Sequence, residues 1–227
     1  MARHDRANPA LLGASFGLAS ALLFGATVPF AKLLLGIVDP LLLAGLLYLG
    51  SGLGLLVTAL VTGRLRALTG LGDGWLWLGL AVLFGGVLTP VAMMAGLALT
   101  AGGTASLLLT LEWVATALIA WFVFRENFDR RVVIGMAAIT AGAVVLVWPD
   151  AIGWTGLAGP LLIAAACVGW GIDNNVTRKV SLADPVLVAM VKGLAAGSVN
   201  TTLALGLGAT WPPASALGAV AALAFAG

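Results

Sequence analysis

The chain has 227 residues, of which 61% are hydrophobic and only 9% are charged, with a formal net charge of +2. A water-soluble globule averages about 25% charged residues, so there is too little polar surface here to cover one. That excludes a soluble enzyme, and basic residues scattered in short loops exclude a nucleic-acid-binding face.

Taken in chain order, a polar tail with Arg3, His4, Asp5 and Arg6 precedes the first apolar run. Apolar spans follow at 9–35, 41–62, 75–99, 104–124, 132–148, 157–180 and 185–207. Each is close to the roughly 17–25 residues that cross a bilayer core as a helix. Lipid leaves such runs no alternative to helix, because unpaired backbone groups are costly there. The run at 9–35 is too long for a signal peptide and is an uncleaved first helix. The segment 214–227 is apolar but too short to span. The expectation is an all-α polytopic membrane protein with seven complete spans plus part of an eighth.

Lys and Arg counts set the orientation. Arg64 and Arg66 follow helix 2, Arg125, Arg130 and Arg131 follow helix 4, and Arg178 and Lys179 close helix 6. The loops after helices 3, 5 and 7 contain none. Even-numbered loops and the N-terminus are therefore expected in the cytoplasm, with the chain in the inner (plasma) membrane. Lys32 dissents, and its long stem is expected to snorkel to the outer interface. Trp148, Trp154 and Trp211 fall where an aromatic belt should lie.

An internal repeat crosses these spans. Phe24-Gly25, Lys32 and Asp39-Pro40 precede one apolar run; Trp170-Gly171, Arg178-Lys179 and Asp184-Pro185 precede another, roughly 145 residues later. An odd number of spans within one period turns the second copy upside down, an arrangement common in secondary carriers. The expected units are 9–148, complete, and 157–227, incomplete.

Soluble-enzyme signatures are absent: there is no P-loop string and no H-E-x-x-H. Cys167 is the only cysteine and His4 the only histidine, which removes disulfides, Cys-rich or His-based metal sites and a Ser-His-Asp triad. No enzyme activity, cofactor or metal is expected. Asn175-Val-Thr177 and Asn200-Thr-Thr202 lie inside apolar spans, where glycosylation cannot reach them. Gly50, Gly52 and Gly54, and the pairs Gly13/Gly17 and Gly193/Gly197, suit close helix packing.

Ionisable groups at depth carry the functional signal, since a mid-membrane charge costs about 2.5–3.5 kcal/mol on insertion scales. Asp173, beside Asn174 and Asn175, and Lys192 share a depth of roughly 10 Å from the inner boundary and are expected to meet. Either they neutralise each other so that both can be buried, or substrate or a coupling ion competes for one of them during transport. Glu112 lies near the midplane with no basic residue within one turn. Either it is a permanently protonated hydrogen-bond donor, or it exchanges a proton, as a proton-coupled exporter requires. Thr116, Thr89 and Pro90 are placed to line a shared cavity. Pro29 is expected to kink helix 1. Thr27, Pro29 and Lys32 occupy the repeat positions of Asp173, Asn175 and Arg178. Met93, Met94, Trp113, Trp121 and Trp170 suit packing first, though an aromatic wall also suits an organic substrate.

The run Ala-Leu-Ile-Ala-Trp-Phe-Val-Phe-Arg-Glu126, with Gly135-Met-Ala-Ala-Ile-Thr-Ala-Gly142 after it, resembles the end of an EamA domain. This is the repeat unit of the drug/metabolite transporter superfamily, and both Asp-Pro segments resemble its start. The resemblance implies ten helices in two inverted five-helix repeats, and export of small metabolites, amino acids or drugs. It makes Glu126 the acidic residue that braces the loop after helix 4, with Gly25 and Gly171 as framework glycines. Trp113 stands where such repeats usually carry proline, and this chain ends before helices 8–10 are complete. The expected partners are a small-molecule substrate and the lipid bilayer, and a homodimer is a possible assembly. The alternative is a membrane-embedded binding or scaffold protein that does not transport.

Overall fold

The computed structural model describes residues 9–65, 74–127, 129–147, 154–180 and 183–226. Arg3, His4, Asp5, Arg6, Arg66 and Trp148 lie outside the described residues, as does the last residue of the segment 214–227. Among the described residues there is helix and no strand. In chain order the helices are α1 (Pro9–Leu34), α2 (Pro40–Val61), α3 (Gly74–Leu99), α4 (Gly102–Phe122), α5 (Arg130–Val147), α6 (Trp154–Thr177), α7 (Pro185–Gly206) and α8 (Ala214–Ala226). A 3₁₀ turn, Arg178–Val180, ends α6. Among the described residues, six spans are long and apolar enough to cross a bilayer, carried by α1, α2, α3, α4, α6 and α7.

The repeated Asp-Pro dipeptides start two of these helices. Asp39 caps α2, its Oδ1 accepting from Leu41 N at 2.9 Å and Leu42 N at 3.1 Å, with Pro40 in the first turn. Asp184 caps α7, accepting from Val186 N at 2.9 Å ahead of Pro185. A side-chain cap followed by a residue with no N–H satisfies the orphan donors of a helix start. The far ends match as well. Gly63 (φ 67°) follows α2 and Gly208 (φ 95°) follows α7, each in the left-handed region that glycine adopts without strain.

Helices α2 and α7 cross at very close range. Gly45 lies against Asn200 and Thr201, Leu49 against Gly197, and Gly52 against Gly193 and Leu194. Numbers rise along one helix as they fall along the other, so the two run antiparallel. A Cβ on Gly52 would stand 2.5 Å from Leu194 N, and one on Gly197 2.3 Å from Leu49 N. Small residues permit that approach, as expected for membrane helices that associate by packing. Around this pair, α3 packs on α6 and α7, α8 packs on α1 and α2, and α4 lies against α6.

Two irregularities were not legible in the apolar pattern. Helix α3 contains a π-helical stretch, Val82–Leu88, directly before Thr89-Pro90. Pro90 has no N–H, so it cannot donate to Gly86 O in an α pattern or to Gly85 O in a π pattern. Neighbouring helices supply the missing donors: Asn200 Nδ2 reaches Gly86 O at 3.1 Å, and Tyr48 OH reaches Gly85 O at 2.7 Å. Helix α4 is interrupted at Leu109-Thr110. By contrast, α1 stays helical through Pro29.

Candidate functional site

Three helices meet where α6 carries Asp173. Lys192 of α7 donates from Nζ to Asp173 Oδ2 at 2.5 Å, and Thr177 Oγ1 donates to Asp173 Oδ1 at 3.0 Å. Asp173 is only 6% exposed. Room for its carboxylate comes from Gly85 in the π stretch of α3, where an added Cβ would fall 2.2 Å from Asp173 Cγ. The pair therefore lies inside the bundle, not against lipid, and each charge has its partner.

A cavity of about 480 Å³ opens beside this pair. Lys192, Thr27, Tyr48, Ser51, Pro90 and Trp170 are on its wall, and it extends to the α6–α7 turn at Thr177, Val180 and Pro185. Trp170 meets Phe24 edge-on, with centroids 6.3 Å apart, so an aromatic contact closes one side.

Glu112 belongs to the next compartment. Its Oε1 accepts from Asn174 Nδ2 at 2.9 Å, and the same amide reaches Thr116 Oγ1 at 3.2 Å. The carboxyl borders a second cavity of about 590 Å³ between α1 and α4, shared with Phe24, Tyr48, Trp113 and Trp170. The three expected ionisable residues thus do not ring one cavity. The break at Leu109-Thr110 sets the direction of the following turn of α4, and Trp170 with Tyr48 lines both spaces.

The remaining expected residues divide clearly. Gly171 packs tightly on α4, where an added Cβ would lie 2.9 Å from Thr116 N. Gly25, at the matching position of the first copy, has nothing within 4 Å, and neither has Gly17, so neither glycine serves a close approach here. Pro29 faces outward and is absent from both cavity walls. Lys32 does not snorkel into the open: its Nζ donates to Leu97 O at 2.5 Å and Ala98 O at 2.9 Å, capping the carbonyl end of α3. Trp113 is 70% exposed on the outer surface of the bundle.

At the end of α4, Glu126 pairs with Arg178, and that hydrogen bond holds its carboxyl below the usual carboxylate range. Lys179 lies over the Phe124 ring at 5.1 Å and the Trp77 ring at 6.0 Å. Arg64 at the end of α2 pairs with Asp184 at 3.2 Å. Among the described residues, no group of three or more His, Cys, Asp or Glu side chains is placed to hold a metal ion.

The model of the EamA-like transporter family matches residues 11–148. The chain belongs to that family. An "Uncharacterized transporter" of Methanothermobacter thermautotrophicus is 25% identical over 207 residues, covering 84% of this chain and 60% of that protein. A "Probable 4-amino-4-deoxy-L-arabinose-phosphoundecaprenol flippase subunit ArnE" of Pseudomonas fluorescens is 40% identical over 80 residues, covering 35% of this chain and 68% of that protein. A crystal structure titled only "Crystal structure of protein" superposes with a TM-score of 0.66 at 24% identity, over 92% of this chain and 72% of that one. That last likeness is one of fold. The chain spans 60% of the length of the Methanothermobacter relative. This EamA-like chain is thus a multi-pass membrane protein of a transporter family.

Residues that the sequence did not single out for the site in this EamA-like chain are Tyr48, Gly85 and Asn200. Asn200 is fully buried, and Asn175, also buried, donates to Thr116 O at 3.0 Å and Gly171 O at 2.8 Å. A buried amide inside an apolar span was the available signal for both asparagines. Nothing in the sequence pointed to the carbonyls they serve.

Proposed function

We propose that this chain is a secondary carrier that exports small metabolites, amino acids or drugs by alternating access of two inverted units, 9–148 and 157–227. The observation that carries this proposal is the Asp173–Lys192 pair, whose Lys192 lies on the wall of a cavity of about 480 Å³ lined by residues of seven helices. A pathway built between oppositely oriented helix sets suits that placement. The antiparallel crossing of α2 and α7 supports the inverted arrangement, because these two helices share the same Asp-Pro start and glycine end. The packing of α3 on α6 and of α8 on α1 supports it too, since exchanging the copies converts one contact into the other.

In this proposal α5 completes a seventh span and α8 is part of an eighth. The N-terminus is cytoplasmic and the membrane is the inner (plasma) membrane. The Lys and Arg residues after α2, α4 and α6 support that orientation. Asp173 and Lys192 exchange partners with substrate or a coupling ion, and Glu112 is the group placed to carry a proton. Flux into proteoliposomes under an imposed pH gradient tests the carrier. Uptake that survives Glu112→Gln unchanged removes proton coupling through that residue, and absence of gradient-driven flux for any small metabolite, amino acid or drug removes the carrier itself.

A second reading is a non-transporting binding or scaffold subunit of a larger assembly. The name of the 40% identical relative, a flippase subunit, favours it, as do ion pairs that tie α2 to α7 and α4 to α6. Flux by the purified chain alone separates the two.

A further inference from the structure

The second cavity has a chemical character of its own. Lys192 faces the first cavity and is tied to Asp173, so that pair contributes no net charge. Among the described residues, no cation is paired with Glu112, whose bonded partner is the neutral Asn174 amide. Three of the four hydroxyl groups on its wall have their protons committed elsewhere: Ser106 Oγ donates to Gly102 O at 2.9 Å, Thr110 Oγ1 to Leu107 O at 2.6 Å, and Tyr48 OH to Gly85 O at 2.7 Å, the fourth being that of Ser20. What those three present to the cavity is lone pairs. Asn174 Nδ2 is likewise engaged by Glu112 and Thr116. An anion would meet the Glu112 carboxylate and few free donors, the Ser20 hydroxyl and the Trp113 indole N–H among them. A cation would find a carboxylate, hydroxyl acceptors and four aromatic side chains in the lining, Phe24, Tyr48, Trp113 and Trp170. Aromatic faces attract ammonium groups by their quadrupole, and more so away from water.

We propose that the cavity between α1 and α4 is a binding site for an organic ammonium cation, held by the Glu112 carboxylate and the rings of Phe24, Tyr48, Trp113 and Trp170. It deepens the carrier reading above by naming the substrate class, and it rests on that reading only for the claim that the bound cation moves.

The test uses the full chain in lipid nanodiscs and equilibrium dialysis with three phenyl-bearing probes that differ in charge. These are benzyltrimethylammonium, its uncharged carbon isostere neopentylbenzene, and the anion benzenesulfonate. The ammonium should bind saturably, and protein-bound isostere, corrected for partition into empty nanodiscs, should be about tenfold weaker. Benzenesulfonate should not bind. Glu112→Gln keeps an acceptor for Asn174 and should lower ammonium binding about tenfold at an unchanged unfolding midpoint. Trp113→Leu, at a lining position that is 70% exposed and has little packing to lose, should also weaken it. Equal binding of isostere and ammonium, binding of the sulfonate, or full binding by Glu112→Gln overturns the proposal. Flux of neutral substrates without ammonium binding sinks this proposal and leaves the carrier. Ammonium binding without any flux does the reverse.

Discussion

Tyr48 of α2 donates its hydroxyl to the Gly85 carbonyl of α3 at 2.7 Å, and Gly85 in turn lies against the Asp173 carboxylate of α6. One glycine therefore joins a backbone irregularity to the buried ion pair. Its missing side chain gives the carboxylate room, and its carbonyl is one that Pro90 leaves without a donor. Gly85→Ala should displace Asp173 and weaken its bond to Lys192. The expected readout is a lower unfolding midpoint in detergent, with a smaller loss when Asp173 is replaced by asparagine in the same chain.

The ion pair should behave as a unit. Asp173→Asn leaves the half-buried Lys192 without its counter-charge, a loss that reaches about 3–5 kcal/mol where both partners are fully buried and should be smaller here. The double variant Asp173→Asn with Lys192→Met should recover most of that stability. If its flux is also recovered, the pair is structural; if flux stays lost, the charges act in transport. Thermal unfolding and proteoliposome uptake on the same preparations give both answers.

Asn200 offers a separate measurement. It is fully buried and its amide serves Gly86 O at 3.1 Å and Val87 O at 3.3 Å. Asn200→Leu removes these bonds and leaves Gly86 O without the donor that Pro90 also lacks, a loss of about 1–3 kcal/mol. Hydrogen exchange should rise along α3 around Val82–Leu88 and stay unchanged in α4.

Equivalent glycines should respond in opposite ways. Gly171→Ala forces a Cβ to within 2.9 Å of the Thr116 backbone, whereas Gly25→Ala meets nothing within 4 Å. The first should lower the unfolding midpoint. The second should hold or raise it, since alanine outranks glycine in a helix by about 1 kcal/mol.

The Glu126–Arg178 contact gives a pH signature outside the membrane. Arg178 holds the Glu126 carboxyl below its ordinary value of 4.5, so the contact's contribution is present above that pH. It is lost as the pH falls through the depressed folded-state value. Unfolding curves of the chain and of Glu126→Gln should differ at neutral pH and converge on acidification.

Much of the frame was legible because it depends on local chemistry. Asp39-Pro40 and Asp184-Pro185 were visible as a repeated pair ahead of two apolar runs, and an Asp cap before proline is local chemistry. Asp173 and Lys192 could be set at one depth by counting along helices joined by a short turn. Gly63 and Gly208 were equally visible as residues, yet their role depends on where each helix stops. The π stretch was hidden because its stabilising donors, Tyr48 and Asn200, arrive from other helices. Which cavity Glu112 borders depends on the break in α4, and no periodicity of apolar residues encodes that rotation. Gly25 looked like Gly171 in sequence, but the helix that would press against it determines its role.

The most direct measurement is two-sided accessibility of the first cavity. Cys167→Ala removes the only cysteine, and Ser51→Cys places a thiol on the wall of the 480 Å³ space. In oriented proteoliposomes the account predicts labelling by a membrane-impermeant thiol reagent from either face, with substrate shifting the ratio between them. Labelling from one face alone, unmoved by any small metabolite, amino acid, drug or organic cation, would contradict it.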